Sequence, residues 1–122
     1  MRATLSPVAA QLLRALMTRM QLGHDKLLVS TCRSVDWQSL TFTGERHEIS
    51  LRIAAPDAGA AVTRLSCGLA DAEWSLRGHV VADIVIVAQS VEPDGSMTVD
   101  LEALTLSDYA WRSERRMSAS AA

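Results

Sequence analysis

The chain has 122 residues and a mass of 13.2 kDa, which is the size of one domain built around a single hydrophobic core. Hydrophobic residues make up 48% of it, charged residues 21% and aromatic residues only 4%, a composition that excludes a disordered chain, a collagen-like fibre and a disulfide-stabilised miniprotein. The net charge of −2 and the scatter of the basic residues along the chain argue against a nucleic-acid-binding surface, which needs clustered cations.

The first predicted element is a helix over residues 7–22. Ser6 can act as its N-cap, and Pro7 is well tolerated at the first helical position. Gly23 is suited to a left-handed C-cap. The apolar positions form a wide stripe, which indicates contact with more than one neighbour. They are Val8, Leu12, Leu13, Leu16, Met17 and Met20.

A β-hairpin is predicted next. Residues 26–34 favour an extended conformation, and two alternating runs flank Thr43-Gly44, which would form a two-residue loop. In this register one face is apolar and carries Leu40, Phe42, His47, Ile49, Leu51 and Ile53. The other face is polar and carries Trp37, Ser39, Thr41, Arg46, Glu48, Ser50 and Arg52. Such alternation predicts one buried face and one exposed face.

A second helix is expected to open at Pro56 and to end near residues 69–71. Its apolar stripe consists of Ala58, Ala61, Val62, Leu65 and Leu69. Residues 72–77 alternate in polarity, which fits either a short edge strand or an extended connection.

The last predicted element is a long hairpin over residues 80–106 that turns at Pro93-Asp94-Gly95, because Asp-Gly is a strong hairpin signal. One face would carry Ala82, Ile84, Ile86, Ala88, Met97, Val99, Leu101 and Ala103. The second face would carry Val81, Asp83, Val85, Val87, Gln89, Thr98, Asp100, Glu102, Leu104 and Leu106. This second face is unusually apolar for a solvent-exposed surface, since monomers rarely leave a large apolar patch open.

Together the elements predict an α+β fold in the order α-β-β-α-β-β, a two-layer sandwich of about four mainly antiparallel strands and two helices. One helix on each face of the sheet is the alternative arrangement. The chain is interpreted as a single domain over residues 1–122, with an ordered core over about 5–110 and a flexible tail over residues 113–122.

Three residues are candidates for a chemical site. Asp83 lies in the most apolar run of the chain, where a carboxylate needs a partner and could serve acid–base chemistry, although an ion pair at a sheet end is the simpler interpretation. His79 lies about 13 Å from Asp83 along the same strand, so the two cannot touch. His47 has apolar neighbours and is more readily explained as a hydrogen-bonded structural residue. No closely spaced metal ligands, nucleophile elbow or phosphate loop is present, so neither a metal nor a cofactor is expected.

The cellular setting is expected to be cytoplasmic. Cys32 and Cys67 lie in different predicted elements and are interpreted as reduced thiols. No apolar run approaches the roughly 18 residues of a membrane span, and Arg14 and Arg19 interrupt any secretory signal.

The leading functional hypothesis is a small non-catalytic domain that acts by self-association, as a homodimer, or by binding a protein partner. The residues expected to form the interface are Val81, Val85, Val87, Leu104, Leu106 and Trp37. Coverage of the second face by the first helix is the structural alternative. The functional alternative is a small-ligand-binding protein or an enzyme with a site near His47, His79 and Asp83. Nucleic-acid and membrane partners are not expected.

Overall fold

The structure of the protein, a computed structural model, describes residues 5–107. Two helices and four strands follow one another in the predicted α-β-β-α-β-β order, which confirms the fold class. They are α1 (Pro7–Met20), β1 (Leu27–Gln38), β2 (Thr43–Ile53), α2 (Ala58–Ser66), β3 (His79–Val91) and β4 (Met97–Ser107). Short 3₁₀ turns lie at His24–Lys26 and Leu69–Asp71. The predicted tail over residues 113–122 lies outside the described residues.

The four strands form one antiparallel sheet in the order β1-β2-β4-β3. Each predicted hairpin supplies one half of the sheet, and the central β2–β4 pair joins the halves without a break in register. β1 and β3 are therefore the two edge strands, and within the described part of the chain no strand pairs with their outer sides.

Helix α1 begins as the sequence predicts. The Ser6 hydroxyl accepts a hydrogen bond from the N–H of Ala9 at 3.1 Å and donates one to Glu45 at 2.7 Å, which connects the helix start to β2. The predicted C-cap is wrong, because Gln21 rather than Gly23 takes the left-handed conformation, with φ at 59°. The helix ends at Met20, and Leu22 packs against the core, a contact that often accompanies such caps.

Both helices lie on the same face of the sheet, so the arrangement with one helix on each face is not the one adopted. Their stripes and the inner sheet face make up one hydrophobic core. Its buried members are Leu12, Leu13, Leu16, Met20, Ile49, Leu51, Ile53, Ala58, Ala61, Val62, Leu65, Leu69, Ile84, Val99, Leu101 and Ala103. The two helices thus form one layer on a single face of the sheet. The opposite face, here called the open face, carries no helix from the described residues.

The first hairpin turns earlier than predicted. Gln38 pairs with Thr43, and the N–H of Ser39 donates to the carbonyl of Phe42 at 2.9 Å, which leaves Leu40 fully exposed at the tip. Leu40 and Phe42 therefore do not belong to the core face of a strand. Gly44 lies within β2 instead of in the turn. A Cβ at this position would be 1.9 Å from the carbonyl oxygen of Thr105, so the position requires glycine. The glycine serves the close approach of β2 and β4.

The second hairpin departs from simple alternation. Register shifts in β3 leave Ala82 and Val87 as extra residues opposite β4. Because each bulge moves the residues beyond it to the other face, Val81 lies on the helix side and packs against the core, while Ala88 lies on the open face opposite Asp100. The predicted second face is therefore not one continuous surface.

Helix α2 is shorter than predicted. Gly68 takes a left-handed conformation with φ at 65°, and the residues after it form a separate 3₁₀ turn that buries Leu69. Residues 72–77 form the extended connection, which makes a single β-bridge between Leu76 and His79. The predicted apolar stripe of α2 is buried throughout.

Candidate functional site

His47 lies at the centre of a buried polar row. Its side chain is fully buried on β2, with Nδ1 2.7 Å from the Ser34 hydroxyl of β1 and Nε2 2.8 Å from the Thr105 hydroxyl of β4. Ser34 pairs directly with His47 across the strands. Both ring nitrogens are therefore satisfied by neighbouring strands, and His47 connects three strands of the sheet through side-chain hydrogen bonds.

Electrostatics keep His47 neutral. Burial lowers the pKa of His47 below its usual value of 6.5, nearby Glu45 opposes this shift, and His79 adds to it. Burial likewise raises the pKa of the Cys32 thiol, which lies two residues before Ser34 on the same face. A neutral imidazole held at both nitrogens by hydroxyls has no free lone pair, and no carboxylate among the described residues hydrogen-bonds to it. These contacts stabilise the sheet.

His79 and Asp83 lie away from this row. His79 is the first residue of β3, and its ring nitrogen is 3.2 Å from the carbonyl of Arg77. Asp83 is exposed on the open face, paired in register with Leu104, whereas His47 lies on the helix side. The structure brings His47 and His79 into electrostatic range of each other but leaves Asp83 on the opposite face of the sheet.

A groove lies between α1 and the extended connection. It is lined by Gln11, Arg14, Arg19 and Trp74. Arg19 is committed to structure, because it donates to the carbonyls of Leu65 and Cys67 at the end of α2 and its guanidinium lies 5.7 Å from the Trp74 ring centroid. The Arg19 side chain thus connects α1 to the end of α2 and to the extended connection.

Among residues 5–107, no three His, Cys, Asp or Glu side chains are placed to hold a metal ion. No helix there is both long and apolar enough to cross a membrane.

The open face is asymmetric in charge. Its β1–β2 half carries three arginines and one glutamate, which are Arg33, Arg46, Arg52 and Glu48. Its β4–β3 half carries three carboxylates and no cation, and these are Asp83, Asp100 and Glu102. One edge of the face is therefore electropositive and the opposite edge is electronegative.

Exposed large hydrophobic residues concentrate on the two edge strands. Eight such side chains occur among the described residues, and none of them lies on the central strands β2 and β4. Three lie on β1, namely Leu28, Val29 and Val35, at 61%, 37% and 46% exposure. Three lie on β3, namely Val85, Val87 and Val91, at 39%, 53% and 69% exposure. Although each edge strand also carries charged side chains, these exposed aliphatic side chains beside unpaired backbone groups favour pairing with another strand.

The residues predicted as an interface are distributed unevenly. Val85 and Val87 are exposed, Trp37 and Leu104 are half-buried on the open face, and Leu106 is only 7% exposed. Val81 belongs to the helix side because of the bulge at Ala82.

Sequence reasoning missed the β1 edge. The β1 sequence does not alternate regularly between apolar and polar residues. The exposure of Leu28, Val29 and Val35 results from the position of β1 at the edge of the sheet. The sequence signal at β1 is an extended segment in which polar and apolar residues do not alternate. Such a segment fits both an edge strand and a fully buried central strand, so it does not identify the edge.

No protein-family model matches the sequence, and no curated protein is similar to it. Among solved structures, the chain is similar to a protein chain from the virion of a native gene transfer agent particle. The TM-score is 0.54 and the sequence identity is 16%, over 82% of this chain and 96% of the other. At this identity the similarity concerns the fold.

Proposed function

We propose that this protein is a non-catalytic structural component that acts by assembling with other protein chains, first of all with copies of itself, in a phage-like particle. The observation that carries the proposal is the concentration of exposed aliphatic side chains on both edges of a single open sheet. An edge strand presents unpaired N–H and C=O groups, and apolar side chains beside them favour pairing with another chain.

The fold similarity to a chain of a gene transfer agent virion supports a particle-associated role over an isolated cytoplasmic one. A role in a particle would require contacts with other protein chains, and exposed aliphatic side chains on both edge strands are suited to such contacts. The interface residues in this proposal are Val85 and Val87 on β3 and Val35 on β1, with half-buried Leu104 and Trp37 beside them on the open face.

The enzyme or ligand-binding alternative receives no comparable support. His47 is buried with both ring nitrogens engaged, and Asp83 lies on the other face of the sheet. A shared site for these two residues would require a rearrangement of the sheet itself.

Light scattering coupled to size-exclusion chromatography tests the proposal over a concentration series from roughly 1 µM to 500 µM. We expect the wild-type protein to exceed its monomer mass of 13.2 kDa and Val85→Lys to return it towards the monomer, because a lysine on an edge strand opposes pairing. Since Val85 is on the surface, the substitution should change the free energy of unfolding by no more than about 0.5 kcal/mol.

Thr63→Lys is the matched control, because it introduces the same charge at an exposed position of α2, away from both edge strands. It should leave the measured mass unchanged. A wild-type protein that stays monomeric throughout the concentration series would rule out self-association, and Val85→Lys assembling as the wild type does would exclude the β3 edge.

A further inference from the structure

We infer that copies of this chain assemble head to tail, with β1 of one copy alongside β3 of the next, so that the sheet continues from copy to copy. This inference rests on the proposed function and names the partner as a second copy of the same chain. Both edges lie on one sheet at opposite ends of the strand order, so each copy offers two different surfaces. Pairing of unlike surfaces produces a closed ring or an open filament.

Strand direction is compatible with this pairing. Neighbouring strands alternate in direction across β1-β2-β4-β3, so β1 and β3 run opposite ways. A copy added in the same orientation therefore places its β1 antiparallel to the β3 already present. Antiparallel pairing then extends through every junction.

The charges of the two edges are complementary. On the open face, Arg33 projects from β1 and Asp83 from β3. The Arg33 side chain is 70% exposed, and within residues 5–107 its one ion pair is to exposed Glu48, at 3.4 Å. No hydrogen bond or ion pair among residues 5–107 engages the Asp83 carboxylate. Each edge thus presents one charge that the other edge can pair.

The stagger between copies follows from the same residues. Across the sheet, Val35 and Asp83 belong to one row of open-face residues, and Arg33 and Val85 belong to the next. An offset of one row between copies brings Asp83 opposite Arg33 and Val80 opposite Val35. Without the offset, Asp83 would face Val35 and Arg33 would face Val85. A stagger of this kind is also what closing a sheet requires.

The bulges at Ala82 and Val87 shape the β3 edge without blocking it. They leave Asp83, Ile84, Val85 and Ile86 as a regular run between them. Bulges bend a strand and increase its local twist, and they are frequent where sheets curve. β1 offers a longer regular run from Thr31 to Gln38, beyond its own irregularity near Ser30.

Face-to-face pairing of two open faces is the competing geometry. It would bury the central strands, which carry none of the exposed large hydrophobic residues, together with Asp100 and Glu102. Symmetric antiparallel pairing of β1 with β1 or of β3 with β3 cannot bring Arg33 opposite Asp83, and where the two-fold axis is centred on either residue it opposes two like charges. The observed charges therefore favour unlike edges.

Disulfide trapping distinguishes these geometries. In a background with Cys32→Ala and Cys67→Ser, proteins carrying Arg33→Cys alone and Asp83→Cys alone are oxidised separately and as an equimolar mixture. We expect a covalent dimer only in the mixture. Thr31→Cys and Val35→Cys, each mixed with Asp83→Cys, cover the neighbouring registers, and Arg46→Cys on central β2 is the matched negative control.

Charge reversal gives a second measurement. Arg33→Asp and Asp83→Arg should each weaken self-association about tenfold, because each places like charges at the junction. Their equimolar mixture should restore it, since each variant then meets the opposite charge on its neighbour. Circular dichroism melting of each variant verifies the fold.

The outcomes separate the two proposals. A wild-type protein that self-associates while all three mixtures fail to cross-link would overturn head-to-tail pairing of β1 with β3 and keep the proposed function. Cross-linking of Arg33→Cys or Asp83→Cys alone would show symmetric pairing and overturn head-to-tail assembly. A monomeric wild-type protein would overturn both.

Discussion

Replacing His47 by phenylalanine would test the buried polar row, because it keeps an aromatic ring in the core and removes both side-chain hydrogen bonds. Each buried hydrogen bond contributes about 0.5–1.5 kcal/mol net, and a stranded hydroxyl costs about 1–3 kcal/mol. Thr105 is fully buried and retains only a long contact to the carbonyl of Glu45 at 3.4 Å, while half-buried Ser34 can reach water. The greater hydrophobicity of phenylalanine offsets part of the loss, so we expect a cost of about 2 kcal/mol.

Urea unfolding at pH 7.5, followed by tryptophan fluorescence, measures this change. Thr105→Val supplies the partner variant, because valine removes the hydroxyl that His47→Phe strands. The double variant should therefore be more stable than the sum of the two single losses predicts, by about 1–2 kcal/mol. Single losses that add to within about 0.5 kcal/mol would refute the view that the two side chains stabilise each other.

Three further predictions concern pH, the core and the glycines. Because burial holds the pKa of His47 below 6.5, the unfolded chain takes up a proton that the folded chain refuses, and the free energy of unfolding should fall as pH decreases below 6.5, by at most about 1.4 kcal/mol per pH unit from this residue. His47→Phe should flatten this slope in urea titrations between pH 7.5 and pH 5, and an unaltered slope would contradict the assignment. Leu16→Ala in the core should cost about 2–5 kcal/mol in thermal unfolding, whereas Leu40→Ala at the exposed hairpin tip should cost almost nothing, so equal losses would disprove the placement of Leu40. Gly44→Ala should destabilise the fold severely because its Cβ would meet the Thr105 carbonyl, while Gly59→Ala, with nothing within 4 Å, should stabilise it by up to about 1 kcal/mol; the reverse order in melting temperature would contradict the β2–β4 packing.

Sequence patterns predicted the local structure correctly wherever it depends on residues close together in the chain. The cap at Ser6 and the alternation from His47 to Ile53 required only helix geometry and the two-residue period of a strand. The three-residue shift of the first turn escaped prediction, because Gly44 is required by the approach of β4, about sixty residues later, and not by a turn. Both ring nitrogens of His47 lie within hydrogen-bond distance of hydroxyl groups, which is the environment that the structural interpretation expects.

The second hairpin shows the opposite case. Its two bulges are not marked by glycine or proline, so alternation alone placed Val81 on the wrong face and Ala88 on the core side. The sequence correctly indicated an apolar surplus in this hairpin. It could not show that much of the surplus lies on an edge.

The amino-acid sequence by itself determined the fold class, the order of the elements, the helix stripes and the buried face of β2, because these depend on interactions between residues close along the chain. Only the tertiary structure decided that both helices share one face, that β1 and β3 are edges, and that unlike charges lie at opposite ends of the open face. These features depend on which strands become neighbours. The proposed assembly surface therefore becomes visible only when the two hairpins join through β2 and β4 and leave their outer strands unpaired.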